Sequence, residues 1–97
     1  MSLAQHLPPQ PAAPILNLNG TDGQELFDAN RKVVHMLDEA VAALQQTAPH
    51  GRDYIGHPEE FARAREEHWH RLNTLRGMVH ELDILAFRIH QQRRKEA

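Results

Sequence analysis

Apolar residues recur at helical spacing in two long stretches of this chain. In the first, Phe27, Val34, Leu37, Val41 and Leu44 follow a heptad pattern, with Asn30 polar on the same seam. Leu26, Val33 and Ala40 widen that stripe on one side, so the helix should have two helical neighbours. In the second stretch the seam is Phe61, Leu72, Leu75, Val79, Leu82, Ala86 and Ile89. Pro49 stops the first helix, because a residue before proline avoids the α region. Pro58 suits a first helical position, and Glu59 and Glu60 fill the first turn, where the helix dipole favours negative charge. The pattern predicts a helix over 22–47, a loop over 48–57 and a helix over 58–93. The fold class is therefore all-α, an antiparallel two-helix hairpin.

The first helix has a readable start. Asn19-Gly20 is a turn signal, and Thr21-Asp22-Gly23-Gln24 matches a capping box with Thr21 as cap and Gln24 reaching back. Before it, Ile15-Leu16-Asn17-Leu18-Asn19 alternates apolar and polar residues. It is too short to make a sheet alone, so an extended segment lying on the helices is expected, with an edge strand in an oligomer as the alternative. Pro8, Pro9, Pro11 and Pro14 mark residues 1–14 as a flexible, proline-rich tail, leaving 15–97 as one helical hairpin domain. On the second helix, Glu59 with Arg63 and Glu67 with Arg71 have the spacing of favourable pairs. Gly77 sits in its interior, tolerated there or permitting a close crossing or a gentle bend.

The second helix should outrun the first by on the order of 15 Å. In an antiparallel hairpin that overhang falls near the C-terminus, where Leu82, Ile84, Leu85, Ala86, Phe87 and Ile89 cover nearly every face. One partner helix cannot bury such a segment. Either the Ile15–Leu18 segment folds over it or another chain does. A homo-oligomeric helical bundle, with a twofold dimer as its smallest unit, is the expectation.

Composition narrows the chemistry. The chain has 97 residues, no cysteine and a formal net charge of −2, so disulfides, thiolate metal sites and a cysteine nucleophile are excluded. No apolar run has the length of a membrane span, and the cytoplasm is the expected location. Nine of the eleven basic residues are arginine and eight of the eleven lie from Arg63 onward. That suits bidentate contacts to phosphate or carboxylate, although a GC-rich genome produces the same bias. Arg93-Arg94-Lys95 is the one basic run, and it fits a helix C-terminus better than a nucleic-acid stripe. Nucleic acid and membrane are therefore not expected as partners.

Eight histidines make metal the first chemistry to weigh. None forms the i,i+4 pair that a helical zinc site needs. Glu67-x-x-His70 supplies one half of a di-iron pattern, but the first helix has only His35, Asp38 and Glu39 and no second half. No metal and no cofactor are expected, and a metal-dependent hydrolase using Glu67, His70 and the carboxylates of the first helix is kept as the third reading. Ser2 is the only serine, so a serine triad is excluded in practice and no catalytic residue is assigned. Three places remain. Arg65 and His68 fall on the seam, as a register-setting hydrogen bond or as the lining of a polar pocket at the loop end. Asn19, Gly20 and Thr21 precede a helix N-terminus, where backbone N–H groups can hold a phosphate; an ordinary capped start is the simpler account. Arg52 and Tyr54 combine a guanidinium fork with an aromatic face in a glycine-flanked loop, which fits an anionic ligand with a ring. Tyr54 plugging the hairpin end, with Arg52 paired to Asp53, is the plainer alternative. Trp69, beside the seam, reads as core or interface.

Leu18-Asn19-Gly20-Thr21, then Ala48-Pro49-His50-Gly51-Arg52-Asp53-Tyr54, then Ala64-Arg65-Glu66-Glu67-His68 resemble segments of small helical proteins carried by bacteriophages and prophages. The resemblance spans about residues 16–89. It implies a cytoplasmic protein of a bacterial host that counters host defence. In size, helical build and oligomerisation the chain is similar, by analogy, to the anti-CBASS and anti-Thoeris sponges, which sequester cyclic nucleotide signals. That analogy implies a non-enzymatic sponge for an anionic cyclic nucleotide, with Arg52 and Tyr54 first among its ligand residues. The alternative is an inhibitor or adaptor that binds a host defence protein, in the manner of an anti-CRISPR factor. In either case Asn19–Thr21 and Arg52–Tyr54 lie at opposite ends of one hairpin, and only a neighbouring subunit could join them.

Overall fold

The computed structural model describes residues 10–96, with side chains to Arg93; residues 1–9 of the proline-rich tail lie outside the described residues. Two α-helices make up nearly all of it, α1 (Gly23–Gln45) and α2 (Pro58–Glu96), joined by a connector holding a single 3-10 turn (Gly51–Asp53). They pack antiparallel as the expected hairpin. No strand occurs among the described residues, and none of their helices is long and apolar enough to cross a membrane.

The caps differ from the expected box. Asp22, not Thr21, caps α1: its Oδ1 accepts from the Gln24 N–H at 3.3 Å. Gln24 does not reach back; its Nε2 donates to Asp28 one turn ahead at 2.7 Å. An aspartate at that site satisfies an orphan amide and also meets the positive end of the dipole. Thr21 is left exposed outside the helix. At the other end, Gly56 enters the left-handed region with φ 80°, which lets the connector turn into α2.

Residues 10–17 form an extended strap along α2. Arg88 Nη1 donates to the Pro11 carbonyl at 2.6 Å, and Gln92 Nε2 donates to the Pro14 carbonyl at 2.7 Å. Gln92 Oε1 in turn accepts from the Leu16 N–H at 2.9 Å. The described part of the proline-rich stretch is thus tied to the hairpin from Pro11 onward, earlier than the domain boundary expected at residue 15. Of the alternating apolar residues only Leu16 turns inward; Ile15 and Leu18 are exposed. Asn17 then closes the turn, accepting from the Asn19 N–H on its side chain at 3.0 Å and from the Gly20 N–H on its carbonyl at 3.2 Å.

The overhang lies at the opposite end from the one expected. Gly23 abuts Arg93 and Leu16, and the Phe27 ring lies 5.6 Å from His90, so α1 begins against the C-terminal end of α2. Strap and α1 together cover the 82–89 segment, in which Ala86 and Ile89 are buried and Phe87 alone among the large apolar residues is exposed. The excess length of α2, 39 residues against 23, projects at its N-terminal end, where the connector folds back on it. Arg31 and Asp83 clip α1 to α2 at 2.6 Å, half exposed. The expected Glu59–Arg63 and Glu67–Arg71 pairs do not form; Arg63 instead stands between Glu60 at 3.9 Å and Glu67 at 3.7 Å on one face of α2.

Candidate functional site

α1 ends at Gln45, and Pro49 turns the chain across the first turns of α2. The connector hydrogen-bonds to itself: Asp53 N–H to His50, Tyr54 N–H to Gly51 and His57 N–H to Tyr54, at 2.8–3.0 Å. This brings the Tyr54 ring onto Phe61, centroids 5.6 Å apart. Arg65 lies over the same Phe61 ring, its guanidinium carbon 5.5 Å from the centroid. Tyr54 therefore plugs the hairpin end, but the Arg52–Asp53 pair that belonged to the same plainer alternative does not form.

Where the connector crosses, Ala48, Pro49 and His68 form a ridge with an open cleft on either side. The larger, about 500 Å³, is lined by Arg65, Glu66, His68, Trp69, Ala62 and Leu72 below the ridge. The second, about 390 Å³, is lined by Leu44, Thr47, Asp53, Tyr54, Glu67 and Arg71. His68 is common to both and is the only buried polar side chain among the described residues, 8% exposed. Helical spacing explains the first cleft: residues 65, 68, 69 and 72 share one face of α2, and the connector runs along it.

The sequence-selected residues divide accordingly. Arg65 and His68 come together in the lining of the first cleft, at the loop end, among mostly apolar surface. Tyr54 lines the second cleft. Arg52 stands exposed on the 3-10 turn and lines neither. Asn19, Gly20 and Thr21 are exposed at the far end of the hairpin, beside the C-terminal end of α2. Within one chain the two loops do not meet. Trp69, expected in core or interface, is 59% exposed in the single chain and packs edge-on against His70 at 5.1 Å. The residues that sequence reasoning passed over are Glu66 and Arg71. Their signal was available: both flank His68 on the two sides that a chain stopped by Pro49 must cross.

The residues weighed for metal do not converge. Glu67 is engaged with Arg63, and His70 lies 3.9 Å from Glu66 on the outer surface. Among the described residues no three His, Asp or Glu side chains approach one point in a way that could hold an ion. Comparisons with protein-family models, curated proteins and solved structures give no match.

Proposed function

We propose that this chain is a non-enzymatic, homo-oligomeric binding protein that holds a small anionic ligand with a flat ring, a cyclic nucleotide being the fitting class, in the clefts around His68. The observation that carries this reading is the shared lining of Arg65, His68 and exposed Trp69 in one open cleft of about 500 Å³. Arginine offers a bidentate fork to phosphate, and an exposed indole offers a face for a base. The volume lies within the usual range for small-molecule sites, roughly 300–1,000 Å³. Glu66 in the same lining offsets part of the positive charge and can accept from an exocyclic amine of a base. The further role, an anti-defence sponge of phage type, is supported by the resemblance and the analogy alone.

Trp69 is the only tryptophan, so the protein carries its own probe. Titration with cyclic di- and trinucleotides and cyclic ADP-ribose isomers should change Trp69 fluorescence saturably for at least one compound. Native mass spectrometry should then show that compound retained intact. Arg65→Ala should weaken the binding tenfold or more. No retention and no fluorescence change across the panel would overturn the reading. The exposed apolar side chains of α1, Val33 and Met36, favour a second reading, a protein-binding inhibitor or adaptor. That reading predicts stoichiometric recovery of one host protein from lysate and no small-ligand binding.

A further inference from the structure

α1 carries two apolar rows. The inner row, Phe27, Val34, Leu37, Val41 and Leu44, packs against α2 and is buried or half-buried. One residue earlier in each step runs an outer row: Leu26, Ala29, Val33, Met36, Ala40 and Ala43. Its spacing is three, four, three, four, three, which is that of the a and d positions of a coiled coil. Five of its six members are exposed in the single chain, Val33 by 45% and Met36 by 58%. Such a row lies about 100° round the helix from the inner one, so α2 cannot cover it.

We infer that a second copy of this chain covers the outer row, with α1 packed antiparallel on α1 about a twofold axis between Val33 and Met36. This deepens the oligomeric part of the proposed function. The spacing is a palindrome about that axis. A reversed copy therefore sets Val33 on the partner's Met36, Ala40 on the partner's Ala29 and Leu26 on the partner's Ala43, an a position against a d position in every layer. The alanines leave room for the backbones to approach. The charges choose the direction. Lys32 and Glu39 border the row on its outer side, and the reversal places Lys32 beside the partner's Glu39 twice. A parallel pairing would face Lys32 with the apolar Leu37 instead.

The register has a consequence for the site. Thr47, the next step of the outer row beyond Ala43, lines the second cleft with Tyr54. The antiparallel copy brings the start of its own α1 to that end. The partner's Asn19-Gly20-Thr21 turn then stands beside this chain's connector and the cleft holding Tyr54 and Arg71. The two loops that one hairpin keeps apart are joined across the axis, and each dimer has two such composite sites.

The absence of cysteine makes the register directly testable. Ala29→Cys and Ala40→Cys should each resist disulfide cross-linking alone, since like positions are about 16 Å apart along the axis. The two variants mixed should cross-link readily. Val33→Glu with Met36→Glu should give a monomer by native mass spectrometry with unchanged helical circular dichroism, because both side chains are exposed in the single chain. Lys32→Glu should raise the dissociation constant at least tenfold, and Lys32→Glu with Glu39→Lys should restore it. Cross-linking of Ala29→Cys alone would overturn the antiparallel register. A Val33→Glu, Met36→Glu protein that still assembles would overturn the surface while leaving an oligomer. A wild-type monomer at tens of micromolar would overturn the interface and the oligomer together. Ligand capture, read from Trp69 on the same samples, is decided separately.

Discussion

At Gly77 an added Cβ would meet no heavy atom within 4 Å, in the middle of a long helix. At Gly23 it would press within 2.8 Å of Arg93 and 2.9 Å of Leu16. The first glycine only adds freedom to the unfolded chain, and the second marks the close junction of strap, α1 and α2. Gly77→Ala should therefore stabilise the protein by about 1 kcal/mol, a rise of roughly 4–8 °C in melting temperature. Differential scanning calorimetry checks it; a fall would mean that the backbone at Gly77 is approached in an assembly. The sequence left Gly77 open between toleration and a close crossing, because spacing says where a residue lies on a helix and not what stands opposite. His68 shows the same limit from the other side. Its seam position was legible, and so was the pairing with Arg65, but the ridge of Ala48 and Pro49 over it depends on the path of the connector.

Among the elements, the strap is the one held to α2 by the side chains of two residues, Gln92 and Arg88. Gln92 receives the Leu16 amide and gives to the Pro14 carbonyl, while Arg88 holds Pro11 independently. Each such bond contributes about 0.5–1.5 kcal/mol net. Gln92→Ala should accelerate hydrogen exchange at the Leu16 amide by tenfold or more and leave the helices' content unchanged. Unaltered exchange would mean that apolar packing of Leu16 alone secures the strap. The helices were legible to within three residues at each end, from period and proline. The strap was half legible: its extended form follows from alternation, but its partner does not, since Gln92 lies 76 residues from Leu16 and polar spacing carries no signal for that pairing. The misplaced overhang has the same origin. Helix lengths fix how much of α2 is unmatched, and only the capped start beside Arg93 fixes which end.

For the molecule as a whole, the single hairpin is short of core. Val34, Ala86 and Ile89 are the only buried apolar side chains among the described residues. The radius of gyration is 19.2 Å, where a compact domain of this length would have about 12–13 Å. So little burial sets a small hydrophobic gain against the ordering of two long helices, and nothing covalent reinforces the hairpin, which contains no cysteine. Covering the outer row of α1 with a second copy supplies the missing burial, and it ties folding to association. The melting temperature should then rise with protein concentration, since mass action adds about 2.7 kcal/mol of stability per dimer for each hundredfold increase. With the usual unfolding entropy per residue, that amounts to roughly 6 °C. Calorimetry across two decades of concentration measures it. A midpoint that stays constant would mean that the hairpin and its strap hold themselves, and that the outer row is kept open for a partner of another kind.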